Sequence, residues 1–531
     1  MSITGSLTLY ERIQNRLKKL VNSQQGNALS GGLKGIEKES LRVNQQGKIA
    51  QTPHPKELGS ALTNPYITTD YSEALLEFIT PPFSTAKAAL DFMQVVHSYT
   101  YQHLDDEMLW GTSMPCIVDG DMSIPIAEYG HSNIGTMKHV YRIGLWHRYG
   151  RSMQAIAGIH FNYSLPVKFW PIYQALENDT QDEKDFISQS YMDMARNLHR
   201  YGWVVLYLFG ASPAICKSFV KGREHSFEEF DYGTFYKPYA TSLRMSDIGY
   251  KNDSQSNINI SYNSLDKYVN RLVSSTQTPF EDFDAIGIKD SSGDYKQLNS
   301  NILQIENEYY SNVRPKQVAK SGERPSEALK KRGVQYVELR SVDINPFDPA
   351  GISEPQLLFL EAFMIFCLLA DSPAMSATDK ASVDDNLTLV ACEGRKPDLL
   401  LQRNNVGVTL KTWGLEICNE MEELCRLLDV DDDNQSYTHA LNAQIKKMNH
   451  VELTPSANVL GEMRKQGLPF FKFALQQANT HREFFKKSSL SSTQQQCFET
   501  AAVQSIKEQT LLEQNDSLSF DAFLQQYFSQ G

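Results

Sequence analysis

The sequence lacks every familiar device for holding a nucleotide through a glycine-rich backbone. It contains no Walker A loop, no G-x-G-x-x-G turn, no G-x-S-x-G elbow and no H-E-x-x-H helix. Phosphates bound by such a chain must be held by metal ions and cationic side chains. Positive charge is itself in deficit, with 51 Lys and Arg against 63 Asp and Glu and a formal net charge of −12. That balance argues against a nucleic-acid partner, which needs a basic footprint. Long apolar runs are missing too. The longest, GWVVLYLFGASPAIC from Gly202 to Cys216, falls short of the ~20 residues of a membrane span and is interrupted by Pro213. It reads as a buried helix or strand. The charged start, with Glu11, Arg12, Arg16, Lys18 and Lys19, has no apolar stretch of the signal-peptide kind. Cysteines number seven (116, 216, 367, 392, 418, 425 and 497), with no C-x-x-C spacing. Buried free thiols in a reducing cytoplasm are expected, and a metal–thiolate site is not.

What is present has the balance of a soluble globular chain, with 41% hydrophobic residues, so function must be read from pattern. Residues 8–21 have helical spacing, and 33–345 mix alternating strand-like segments with polar loops. Gln356–Ala370 (QLLFLEAFMIFCLLA) is long and apolar enough for a buried helix. Beyond about 385 the pattern turns helical, as at Leu415–Leu428 and Phe470–Phe485, with breaks at 429–436 and 486–496. The run from Asp429 opens like a calcium-binding EF-hand loop. Asn434 replaces its glycine and Ala440 its bidentate glutamate, so it reads as a solvated turn. These segments predict an α+β catalytic region over 11–385 and a helical C-terminal region over 386–531 packed on it.

The informative signal is a set of strand-like segments with an apolar back and a charged front. In GIEKESLRV (35–43), Glu37 and Glu39 lie two apart and share a face. In AGIHFNYSL (157–165), His160, Asn162 and Ser164 share one. In QYVELRSV (335–342), Glu338 and Arg340 do, and in LQIENEYY (303–310), Gln304, Glu306, Glu308 and Tyr310 do. One such segment reads equally well as an exposed edge strand. Several together suggest a sheet whose concave side is a polar site. Oxygen ligands without thiolates point to magnesium, or manganese, rather than zinc. On pattern alone His160 is a core histidine or a ligand, and Glu73 and Glu77 read as neighbours on a helix surface.

At these residues the sequence closely resembles the glutamate–cysteine ligases of the γ-proteobacterial type. The matching stretches are GLKGIEKESLRVN (32–44), HPKELGSALTNPYITTDYSEALLEFITP (54–81), GIHFNYSLP (158–166) and YLFGASPAIC (207–216). YATSLRMSDIGY (239–250), NSNILQIENEYY (299–310), RPSEALKKRGVQYVELRSVDINPF (324–347) and EGRKP (393–397) continue them. The resemblance implies a fold similar to glutamine synthetase, a curved and mostly antiparallel sheet forming a funnel with helices outside. It implies Mg2+ held by Glu37, Glu39, Asp70, Glu77 and Glu338, with His160 in the metal-side strand, and ATP phosphates bound through Glu37, Glu39 and Glu338. Arg244 and Arg340 match arginines that hold glutamate or the phosphoryl group. Tyr71, Tyr141, Leu145, Tyr250 and Tyr310 match an aromatic cysteine pocket. Where relatives carry RETLR this chain has KESLR, so Lys38 and Ser40 differ while both glutamates remain, and Tyr71 stands in place of Phe.

The implied activity joins the γ-carboxylate of L-glutamate to the amine of L-cysteine through γ-glutamyl phosphate, the reaction that opens glutathione biosynthesis. The expected partners are those two amino acids and ATP, with no nucleic acid and no membrane, in the cytoplasm. The rivals are a ligase using another amine, a two-metal phosphoesterase and a catalytically silent sensor.

Overall fold

The computed structural model describes residues 7–22, 25–249, 258–320 and 322–530. Its centre is a seven-stranded antiparallel sheet made of β1 (Leu33–Val43), β2 (Ile67–Thr69), β3 (Leu75–Ile79), β4 (Met108–Leu109), β5 (Ile159–Ser164), β9 (Val313–Lys316) and β10 (Tyr336–Val342). The order is β2-β3-β1-β5-β10-β9, with β4 pairing the end of β1. A three-stranded sheet of β6 (Ala214–Cys216), β7 (Glu228–Asp231) and β8 (Thr234–Tyr236) and a hairpin of β11 (Leu400–Arg403) and β12 (Val406–Thr409) lie apart from it. Both ends of the large sheet are blunted. β2 is three residues long, and β9 carries Pro315, which an edge strand tolerates.

Alternation along β1 sorts its side chains between two environments. Glu37 and Glu39 face the front. Lys34, Ile36 and Lys38 face the helices behind, where Lys34 Nζ meets Glu361 Oε1 at 2.9 Å and Lys38 Nζ lies 2.8 Å from His97 Nε2. Glu361 belongs to the helix Glu354–Leu369, the apolar run read from sequence. Pro at its start and a capping box between Ser353 and Gln356 set its beginning. Tyr437 Oη, from the helix Ser436–Asn449, donates to the other oxygen of Glu361 at 2.7 Å. One apolar core therefore runs from Ile13 to Phe498 and includes the helices Leu410–Leu428 and Phe470–Lys487. The helix Ala377–Glu393 crosses position 385, where the change of pattern was read.

Three expectations are corrected. Cys116 and Cys216 form a disulfide, leaving five free cysteines rather than seven. The loop after β4 and strand β6, remote in sequence, bring the two Cα atoms within 5.5 Å, a proximity that spacing does not reveal. Residues 303–310 are not a strand: they form a loop with one 3-10 turn at Glu306–Glu308. Glu306 accepts from Ser326 N and pairs with Arg324 at 2.8 Å, while Glu308 pairs with Arg148 at 2.9 Å. Those carboxylates are consumed by structural partners. Glu73 is not on a helix surface but in the turn between β2 and β3, accepting from the backbone N–H of His54 and Glu128. The EF-hand-like run is a turn, in which Asp429 accepts from the N–H groups of Tyr437 and Thr438. Among the described residues no helix is long and apolar enough to cross a membrane.

Candidate active site

Strand register assembles the site. On the front of the sheet Glu77 of β3 lies opposite Glu39 of β1, and Glu37 lies opposite His160 of β5. Asn162 of β5 in turn lies opposite Glu338 of β10, and Glu338 opposite Arg314 of β9. Five strands thus contribute to one row of charged and polar side chains. A bulge between Leu339 and Val342 sets Arg340 and Ser341 against His160 alone. Bulges re-aim side chains beside active sites, and here Arg340 Nη1 donates to Glu338 Oε1 at 2.9 Å and lies 3.4 Å from His160 Nδ1.

The row has two electrostatic halves. At one end His160 Nδ1 lies 3.0 Å from Glu37 Oε2 and 3.6 Å from Glu338 Oε1, and Lys316 Nζ is 3.4 Å from Glu338 Oε2. Burial pushes the Glu338 carboxyl up, but Lys316, Arg340, His160 and Arg314 hold it well below the usual range. Burial and Glu338 push Glu37 up, yet the His160 hydrogen bond and Lys316 outweigh them. Burial, then Arg340, lowers the imidazole pKa, so His160 keeps a lone pair at neutral pH. At the other end burial and Asp70 raise Glu39 to about 8, and burial with Glu37, Asp70 and Glu39 raises Glu77 well above a normal carboxyl. Carboxylates that repel one another in a buried place call for a cation.

The donor set suits a hard divalent ion. Ligand atoms of Glu37, His160 and Glu338 all lie within 4.8 Å of one another. Asn162 donates its amide N–H to Glu37 Oε1 at 3.0 Å, which leaves its own buried Oδ1 without a hydrogen-bond partner among the described residues. An orphaned amide oxygen between two carboxylates is an oxygen ligand in waiting, of the kind Mg2+ takes.

Beside the row opens a cavity of about 110 Å³. Glu39, Asp70, His160 and Arg340 are among its polar lining, and Tyr71, Tyr141, Leu145 and Tyr310 also line it, bringing together four of the five pocket positions named from the sequence. Tyr250 lies outside the described residues. Tyr71 is buried with its hydroxyl unpartnered among the described residues, a donor left for a ligand. Glu37, Glu77 and Glu338 belong to the row but not to the cavity lining. Arg244 does not line it either. Its guanidinium donates to the Arg340 carbonyl at 2.9 Å, lies 3.6 Å from Asp343, and occupies the space that the missing side chain of Gly158 leaves open.

Several lining residues escaped the sequence reading. Arg142 donates to the Asp70 carbonyl at 2.5 Å and sits over the Tyr129 ring at 4.6 Å. Arg314, which lines the cavity, and Lys316, which belongs to the row through Glu338, alternate along V-R-P-K, a period-two signal that was there to be read. Asn307 sits in the loop misread as a strand.

Comparison with known proteins decides the lineage. The family model described as glutamate-cysteine ligase matches residues 17–390. The chain belongs to the glutamate–cysteine ligase family. It is 47% identical over 523 residues to the glutamate–cysteine ligase of Alcanivorax borkumensis, covering 98% of this chain and 99% of that one. Against the ligase of Pseudomonas putida it is 48% identical over 495 residues, 93% of this chain and 94% of the other. Its structure is similar to the crystal structure of the Francisella tularensis glutamate–cysteine ligase in complex with AMP, with a TM-score of 0.89 at 37% identity, covering 94% and 98% of the two chains. The antiparallel sheet with its outer helices is the glutamine-synthetase-like ligase fold expected of this glutamate–cysteine ligase family.

Proposed function

We propose that this chain ligates the γ-carboxylate of L-glutamate to the amine of L-cysteine, with ATP as co-substrate, giving γ-glutamylcysteine, ADP and phosphate. The observation that carries the reading is the two-halved carboxylate row running into a small aromatic cavity. A phosphate-binding end and an amino-acid end share one hollow.

Glutamate's γ-carboxylate attacks the terminal phosphorus of ATP to form γ-glutamyl phosphate, because a free carboxylate is a poor acyl donor. The cysteine amine then displaces phosphate from the acyl carbon. Mg2+, or Mn2+, held by Glu37, His160 and Glu338 and by Glu39, Asp70 and Glu77, would offset repulsion between nucleophile and phosphate when bound. Arg340, aimed by its bulge, stabilises charge on the transferring phosphoryl group, and its planar fork suits phosphoryl oxygens. Arg244 holds the Arg340 backbone from behind and acts through it. Tyr71, Tyr141, Leu145 and Tyr310 form the cysteine pocket, where the free Tyr71 hydroxyl offers a hydrogen bond. The reading also places the protein in the cytoplasm, a compartment in which a disulfide is uncommon.

ADP release measured with glutamate alone, cysteine alone and both is the test. Release that needs both amino acids and Mg2+ is expected. Phosphate release with neither would make the site a phosphoesterase, and nucleotide binding with no turnover a sensor.

A further inference from the structure

The C-terminal helix Phe520–Phe528 lies well beyond residue 390, where the family match ends. It is docked against the amino-acid end of the site. Leu524, 6% exposed, packs with Met137, Val140 and Leu298 in an apolar cluster separate from the main core, and Tyr141 packs against that cluster. Tyr141 also lines the cavity, so the tail supports the far side of a cavity wall. That wall is the helix Asn133–Tyr149, which supplies Tyr141, Arg142, Leu145 and Tyr149. The facing wall is the loop that ends at Tyr310.

The tail is pinned to both walls. At the start of the wall helix, Asn133 donates its backbone N–H to Asp516 and its amide to the Leu518 carbonyl at 3.0 Å. At the other end of the tail, Arg324 donates to the Gln530 carbonyl at 2.8 Å while holding Glu306 of the facing loop. A direct link also joins the walls, since Gln304 Nε2 donates to the Tyr141 carbonyl at 3.2 Å. Gly144 permits it, because a Cβ there would come within 2.1 Å of Gln304 Oε1.

We propose that residues 516–530 are a positioning strap that fixes the distance between the two walls and so confines the acceptor amine to one with a small side chain. This rests on the reading of the cavity as the cysteine site. No strap residue lines the cavity. The strap acts through Tyr141 and Leu145 on one side and through Glu306 and the loop to Tyr310 on the other. Loosening it widens the acceptor pocket and leaves the nucleotide end, across the sheet, unaltered.

The test is steady-state kinetics of the full chain carrying Leu524→Ala, with Leu524→Met as the volume-conserving control. The expected result is a KM for cysteine raised at least fivefold, KM for glutamate and for ATP within twofold of the parent, and turnover of the longer L-norvaline raised relative to cysteine. Leu524→Met restores the parent values. A cysteine KM within twofold of the parent overturns the strap, as does a parallel rise of all three constants, which marks general loosening. If Leu524→Ala does not fold, the exposed Asp516→Ala, which removes one pin, decides on the same criteria. A parent enzyme that makes no product from cysteine refutes the reading of the site; an active parent with unaltered variants refutes the strap alone.

Discussion

Four acidic side chains of one site divide by the company each keeps. Glu37 and Glu338 are held anionic by His160, Lys316 and Arg340, whereas Glu39, raised to about 8 by burial and Asp70, and Glu77 are held protonated. Without an ion, the folded state keeps a proton on Glu39 that the unfolded chain sheds near its ordinary value of 4.5. The contribution of Glu39 to stability is therefore fullest below 4.5 and is lost as pH rises through about 8. A divalent ion needs the carboxylate form, so Mg2+ binding at pH 7 should release the Glu39 proton, and at pH 9.5, where Glu39 is already ionised, fewer protons. Calorimetry in two buffers of different ionisation enthalpy measures this; release independent of pH would contradict the assignment. The sequence made most of these residues legible, since alternation alone paired Glu37 with Glu39 and Glu338 with Arg340. It could not reveal which carboxylates lack a cation, because that depends on Lys316 and Arg314 arriving on a neighbouring strand.

At the scale of elements, β5 was readable because it alternates cleanly between an apolar back and a polar front, β10 because it does so up to its bulge, and β1 because Glu37 and Glu39 recur at a spacing of two even though Lys34 and Lys38 lie on its back. The segment 303–310 alternates too and is not a strand. Its glutamates answer to Arg324, Ser326 and Arg148, tertiary partners that periodicity does not register. The bulge in β10 was equally invisible, as was the close fit of β5 against Arg244. Gly158, just before β5, makes that fit possible: a Cβ there would lie 2.0 Å from Arg244 Nη2. Gly158→Ala should displace the guanidinium from the Arg340 carbonyl and lower kcat by about 10-fold or more, the scale of losses from misplaced supporting groups. Thermal unfolding should shift far less. A variant with parent kcat and a lowered Tm would mean that Gly158 serves packing only.

Across the whole molecule, one core joins the sheet to the C-terminal helices, and one disulfide closes a 100-residue stretch of chain between Cys116 and Cys216. A cross-link over that span restrains the unfolded chain and is worth up to about 4.7 kcal/mol in loop-closure entropy. Alkylation of unreduced, denatured protein should label five cysteines, and reduction should lower the urea midpoint. Seven labelled thiols would restore the reading taken from composition. The α+β class and the helical C-terminal character were legible in patterns of two and 3.6, whereas the disulfide joins cysteines 100 residues apart and the tail docks on segments still more remote in sequence.

Binding of Mn2+ in the presence of a non-hydrolysable ATP analogue, followed by electron paramagnetic resonance, tests the carboxylate row most directly. Tight binding is predicted for the parent and a loss of at least about 10-fold in affinity for Glu37→Gln and for Glu338→Gln, with both variants folded. Undiminished Mn2+ affinity in either folded variant would contradict the account.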